Sequence, residues 1–136
     1  MINSIGLDAL EPRDLWAIRT RLTKPGSEWQ SEVAAVLDGE ASSCTPVAVY
    51  HADGVLVGWA CSHIWRDQQT LEMYVDERYR RRGIATALAA KLVADLVVDK
   101  TKPVAVFSLP TAEIARQLWR ADVVRYERRG TEWEPV

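Results

Sequence analysis

Apolar residues fall at helical spacing in four stretches and at strand spacing between them. Leu15, Ile18 and Leu22 recur on one helical face behind Pro12, which predicts a helix over 12–22 with proline in its first turn. Lys24-Pro25-Gly26 is expected to stop it. Ser27 is expected to cap a second helix, in which Trp29, Val33, Val36 and Leu37 share a face and Gly39 ends the run. A short strand around Asn3–Leu7 precedes both. Residues 46–65 alternate as two strands around Asp53-Gly54, a strong hairpin signal. The stretch Arg66-Asp67-Gln68-Gln69 predicts another turn, and residues 70–75 a third antiparallel strand. From Gly83, Ile84, Leu88, Leu92 and Leu96 repeat every fourth residue and predict a long helix. The apolar run 103–109 reads as a buried strand, 111–121 as a helix, and 123–136 as a closing hairpin around Gly130.

The predicted order is β-α-α-β-β-β-α-β-α-β-β, an α/β mixed fold. A strand, tight loop, helix and further strand form a crossover, which makes the fourth and fifth predicted strands parallel. Hairpins make the remainder mostly antiparallel, with helices on both faces. The 136 residues suit a single domain over 1–136. No apolar run reaches membrane-spanning length, and the N-terminus lacks a basic start before an apolar stretch. The expected setting is therefore a reducing cytoplasm, with Cys44 and Cys61 as free thiols. These cysteines, with His51 and His63, lack the close spacing of structural zinc sites, so no metal is expected.

Composition adds one anomaly, six Trp against one Phe. Trp keeps a polar handle and suits half-wet pocket walls. The net charge of -2 disfavours a nucleic-acid partner, although Arg78, Arg80, Arg81 and Arg82 are bunched together.

That bunch carries the chemistry. In residues 71–88 a strand runs into an arginine-rich turn, and Gly83 opens a helix. The first turn of a helix has unpaired amides and the positive end of the dipole, so the loop is an anion site suited to phosphate or pyrophosphate. Gly83 permits close backbone approach, and Ala85 keeps the next turn slim. The segment fits neither the nucleoside-triphosphate loop nor the dinucleotide fingerprint.

Arg80-Arg81-Arg82-Gly83-Ile84-Ala85 resembles the acetyl-CoA loop of the GNAT superfamily of N-acetyltransferases, Q/R-x-x-G-x-G/A. The wider run Tyr74 to Leu88 and the element order resemble that family too. The resemblance implies acetyl-CoA as co-substrate, with pyrophosphate held by Arg80, Arg81, Arg82, Gly83, Ile84, Ala85 and Thr86. It implies that Tyr74 and Val75 pair with the pantetheine arm between splayed fourth and fifth strands. The implied reaction is direct acetyl transfer to a primary amine of a small molecule or peptide. The alternatives are a non-catalytic acyl-CoA-binding module and, lower, a transferase acting on a nucleic-acid-linked amine. Homodimers are common in the family, so a homodimer stays open; a membrane partner is not expected.

An alkylamine is neutral only about once in two thousand molecules at pH 7, which makes a base worth about 4–5 kcal/mol. If the 66–69 turn pairs Trp65 with Thr70, then Ile64 faces Leu71 and His63 lies directly across from Glu72. Glu72 and His63 are thus the candidate catalytic pair, and a cross-strand stabilising pair is the competing reading. The family's thiolate-protonating Tyr is matched here by Trp119, which is a donor without acidity, so Tyr74, Tyr126 or water is left for that role. The resemblance places the acceptor near Arg13, Trp16, Arg19, Trp29, Glu32, Trp133 and Glu134.

Overall fold

A computed structural model describes residues 2–23 and 28–136. The expected stop at 24–26 and the Ser27 cap lie outside the described residues. The chain runs β1 (Ile2–Gly6), α1 (Pro12–Thr20), α2 (Glu28–Leu37), β2 (Pro46–Ala52), β3 (Val55–Cys61), β4 (Ile64–Trp65), β5 (Gln68–Thr70), β6 (Glu72–Val75), α3 (Ile84–Ala94), β7 (Val104–Val106), α4 (Leu109–Leu118), β8 (Val123–Arg129) and β9 (Glu132–Pro135). Single-turn 3-10 segments add Leu7–Ala9 and Glu77–Tyr79. No helix among the described residues is long and apolar enough to cross a membrane.

The strands form two sheets. One is antiparallel in the order β1-β2-β3-β6, and the other is mixed in the order β4-β5-β7-β8-β9. Asp53 and Gly54 both take positive φ, 53° and 77°, which is the twist a two-residue hairpin between β2 and β3 requires.

Four details depart from the sequence reading. First, Trp65 pairs with Gln68, not Thr70, and Ile64 pairs with Gln69, not Leu71. The turn is only Arg66-Asp67, with φ of 49° and 60°. His63 therefore lies opposite Thr70. The Thr70 amide donates to the His63 carbonyl at 3.1 Å, and the His63 amide donates to Thr70 Oγ1 at 3.1 Å. Second, the predicted strand 70–75 is cut at Leu71 into β5 and β6. The Leu71 amide donates to the Ala105 carbonyl of the neighbouring β7 segment at 3.0 Å, whereas Glu72 pairs with Cys61 on β3. Third, α3 ends at Ala94. Leu96 turns left-handed with φ 58° and stands exposed, outside the apolar stripe. Fourth, β7 ends at Val106 and α4 begins at Leu109, because Ser108 Oγ accepts from the Thr111 amide as N-cap and Pro110 fits the first turn.

Parallel pairing joins β5 to β7 and, through the α4 crossover, β7 to β8. The helices α3 and α4 cover one face, where Leu88, Leu92, Val104, Val106, Ala112 and Trp119 are buried together. A Cβ on Gly58 would meet Leu88 Cδ1 at 3.3 Å, so α3 rests directly on β3. On the opposite face, Leu15, Ile18, Leu22, Trp29, Val33 and Trp59 form a second core under α1 and α2. Trp59 Nε1 donates to the Leu22 carbonyl at 2.7 Å, and His51 Nε2 meets buried Asp14 Oδ2 at 2.9 Å, tying α1 to β3 and β2. Trp29 is thus a core residue, whereas Trp16 is exposed.

Leu88 is fully buried at the α3–sheet contact. Leu88→Ala is expected to lower the unfolding free energy by about 2–5 kcal/mol, read from the urea midpoint with an unchanged slope.

Candidate active site

Beyond Leu71 the two sheets part, because β6 follows β3 while β7 stays with β5 and β8. The gap is a cleft of about 360 Å³. One wall is β6, through Met73, Tyr74 and Val75. Its mouth is the loop Tyr79, Arg80 and Arg81, and its floor the start of α3, from Gly83 through Thr86. The far wall is the start of α4, with Ser108, Pro110, Thr111 and Ile114. The starts of α3 and α4 therefore both open onto one basic cleft; α3 presents amides without intrahelical acceptors, whereas at α4 Pro110 lacks an amide and the Thr111 amide is capped by Ser108.

The loop is shaped by backbone handedness. Arg81 (φ 63°) and Gly83 (φ 77°) are both left-handed, so amides of this turn are held away from strand geometry and can converge on an anion. Nothing lies within 4 Å of where a Gly83 Cβ would stand, so its need for glycine is conformational. Asp76 anchors the loop. It accepts from the Arg78 amide at 3.1 Å and from Arg21 of the α1 end at 3.0 Å. These bonds, those from Arg78 foremost, hold its carboxyl below the usual carboxylate range. Arg80 Nε donates to the Val75 carbonyl at 2.9 Å, and its guanidinium lies 5.1 Å from the Tyr74 ring centroid. Arg82 stacks over Tyr79.

Of the residues expected at the cofactor, Tyr74, Val75, Arg80, Arg81, Gly83, Ile84, Ala85 and Thr86 line the cleft; Arg82 does not. The α4 wall was missed by the sequence reading. Its signal was Ser108-x-x-Thr111, a cap motif at the start of a helix facing the loop.

Glu72 and His63 stand at the vertex of the gap, on the face turned toward α1 and α2. They do not line the cleft itself; Met73, next to Glu72, does. His63 Nδ1 is 3.4 Å from Glu72 Oε2, a diagonal contact rather than the expected directly opposed one. The register differs by two residues, and a shift of two keeps every side chain on its face. Cys61 Sγ joins them; the ligand-type atoms of Cys61, His63 and Glu72 all lie within 4.8 Å of one another. Burial pushes the Cys61 thiol well up, with Glu72 and Glu32 adding to the effect.

Further along this face, Trp65 packs edge-on against Phe107 and Tyr126, and Phe107 against Trp133, at centroid distances of 4.9–5.1 Å. Tyr126 Oη accepts from Gln68 Nε2 at 2.9 Å. Trp119 is buried at the end of α4, and its Nε1 is among the buried donors with no partner among the described residues.

Comparison with known proteins decides the family. The model of the Acetyltransferase (GNAT) family matches residues 13–121. The chain belongs to that family. It is accordingly an acyltransferase that uses acetyl-CoA. Comparison with curated protein sequences gives no match. Among solved structures, a protein from Clostridium acetobutylicum described as a predicted acetyltransferase, with acetyl-CoA, aligns with a TM-score of 0.56 at 14% identity, covering 90% of this chain and 91% of that one. The aminoglycoside N-acetyltransferase AAC(6')-Iy, with a bisubstrate analogue, CoA-S-monomethyl-acetylneamine, aligns with a TM-score of 0.54 at 18% identity, covering 87% and 86%. At such identity these likenesses show the fold. The cleft of this GNAT chain has a basic loop at one end and the edge of β6 along one wall, and the Glu72–His63 contact stands where it begins.

Asp76→Asn in this GNAT chain is expected to lower stability at neutral pH by about 1.5–3 kcal/mol, the scale of hydrogen bonds to a charged group. The carboxyl is depressed in the folded state, so its contribution is complete above the unfolded carboxylate range and lost as pH falls through the folded value. The variant should therefore show a shallower loss of stability on acidification, read from urea midpoints between neutral and strongly acidic pH.

Proposed function

We propose that the protein transfers the acetyl group of acetyl-CoA directly to a primary amine of a small molecule or peptide. The observation that carries this reading is the position of the Glu72–His63 pair at the vertex where the cleft between β6 and β7 begins. Acetyl-CoA supplies an activated thioester. The chain supplies everything else. Amides of Arg81 to Thr86, with the arginine charges, hold the diphosphate. The edge of β6 at Tyr74 and Val75 offers main-chain partners to an extended arm, in the manner of strand addition, with the Val75 carbonyl open to it only where Arg80 Nε gives way.

Glu72 takes a proton from the acceptor's ammonium, His63 shares it, and the neutral amine so formed attacks the thioester carbonyl. The partly buried setting of both side chains strengthens their coupling relative to water. The aromatic face of Trp65, Phe107, Tyr126 and Trp133, together with Glu72, suits an amine carried on an apolar or flat body. AAC(6')-Iy is in complex with a bisubstrate analogue, CoA-S-monomethyl-acetylneamine, which supports a reading in which both substrates are held together. Tyr126 Oη accepts from Gln68 Nε2 and so keeps its own O–H to give, which leaves Tyr74, Tyr126 and water as sources of the thiol proton.

Acetyl-CoA at one hundred times its Kd is expected to stabilise the fold by about 2.7 kcal/mol, visible as a raised melting midpoint. No shift at high excess would overturn the assignment of the cleft. Gly83→Val, strained by about 1–2 kcal/mol at its positive φ, should lose most of that ligand-induced shift. Thiol release across an amine library then identifies the acceptor class. Glu72→Gln should lower kcat about 10²–10⁴-fold and remove the acidic limb of the pH–rate profile. An unchanged rate and profile would take Glu72 out of the mechanism.

A further inference from the structure

We propose that Cys61, His63 and Glu72 form a binding site for one thiophilic divalent cation of the Zn2+ type, and that the bound ion silences acetyl transfer. The second half rests on the proposed role of Glu72 and His63; the site itself does not.

The three side chains offer sulfur, nitrogen and oxygen within 4.8 Å of one another. Zinc bond lengths of about 2.0–2.3 Å in a tetrahedral site put neighbouring donors roughly 3.3–3.8 Å apart. His63 Nδ1 and Glu72 Oε2, at 3.4 Å, already stand at that spacing. The sheet holds the donors in place. Cys61 and Glu72 are paired residues of β3 and β6, and His63 lies in the two-residue link from β3 to β4, where its backbone bonds to Thr70 fix it beside them. Little movement is needed to close the set around an ion.

The donor chemistry selects the metal. A thiolate with an imidazole favours zinc-like ions over magnesium or calcium. The thiolate and carboxylate carry two negative charges, so a divalent ion leaves this part-buried site neutral. Glu32 on α2 adds a further carboxylate whose charge reaches Cys61. Three protein ligands leave one coordination position for water or an amine, as in open zinc sites. On binding, the Cys61 S–H bond breaks and an S–metal bond forms, and the proton leaves to bulk water. His63 gives its Nδ1 lone pair, with its remaining ring proton on Nε2. The Glu72 oxygen and the His63 nitrogen that would take a proton from the amine are then committed to the metal. None of the three residues lines the acetyl-CoA cleft, so co-substrate binding is expected to persist.

The test is titration of the Cys44→Ser protein with Co2+ alone, since exposed Cys44 is the other thiol. The expected result is a near-ultraviolet thiolate-to-cobalt charge-transfer band with tetrahedral visible bands. The signal should saturate at one equivalent and be displaced by one equivalent of Zn2+. Cys61→Ala should abolish the charge-transfer band. His63→Asn, compared at equal melting midpoint, should weaken Co2+ binding more than about tenfold. One equivalent of Zn2+ should lower kcat more than tenfold with the KM for acetyl-CoA unchanged. Absence of the band in Cys44→Ser, or its survival in Cys61→Ala, overturns the site. Melting with acetyl-CoA separates the two proposals. A cobalt spectrum without acetyl-CoA stabilisation overturns the functional reading and leaves the ion site standing. Stabilisation without a spectrum overturns the ion site alone.

Discussion

A change of hydrogen-bonding partner between two successive residues governs this molecule. The Leu71 amide still donates toward β7, through Ala105, but Glu72 is already paired with Cys61 on β3. From that point the two sheets cannot remain coplanar, because each strand follows a different neighbour. The cleft, the unpaired edge of β6 and the placement of Glu72 at the vertex all follow. A continuous sheet across β6 and β7 would satisfy more backbone groups, but it would leave no room for an extended ligand. Buried groups near the break are nonetheless satisfied. The Thr70 hydroxyl donates to the His63 carbonyl and accepts from its amide, bridging the ladder where regular pairing stops. On the other side, the Gln69 amide group donates to the carbonyls of Asp99, Lys102 and Pro103 and accepts from the Asp99 amide, which fixes the approach to β7.

The second constraint is electrostatic and local. The chain as a whole is slightly acidic, yet the cleft mouth combines Arg80 and Arg81 with the starts of two helices. Unopposed, such a cluster would repel itself. Asp76 offsets part of it by engaging Arg78 and Arg21, so one carboxylate both ties α1 to the loop and lowers the local charge. The protein thus concentrates positive charge at the cleft mouth while its net charge stays at -2.

Much of this was legible in the chain because local chemistry and tertiary structure agree. Asp53-Gly54 supplies the left-handed pair its hairpin needs, and Arg81-Arg82-Gly83 precedes the strongest apolar helix. The unread parts have a common cause. Arg66, Asp67 and Leu96 adopt positive φ without being glycine, so nothing in their identity announced a two-residue turn or the end of α3. The turn displaced the register by two, and the Glu72–His63 contact survived only because side chains alternate with period two. The α4 wall and the junction of Cys61 with His63 and Glu72 depend on which strand lies beside which. Alternation within one strand carries no such information. The Trp excess resolved into separate roles: Trp29 and Trp59 in the core under α1 and α2, Trp65 and Trp133 on the aromatic face, Trp119 under α4 and Trp16 in solvent.

The Arg80 tether has an entropic consequence. A free arginine side chain carries about 2 kcal/mol of rotamer entropy, much of which a flexible anion clamp forfeits on capture. The fold itself restrains Arg80, through its bond to the Val75 carbonyl and its stack on Tyr74. Its guanidinium is parked at the cleft mouth with further N–H groups unspent on that bond. On the proposed reading a diphosphate would meet a cation whose direction the fold sets, so selectivity at this position would be a matter of shape as much as of charge.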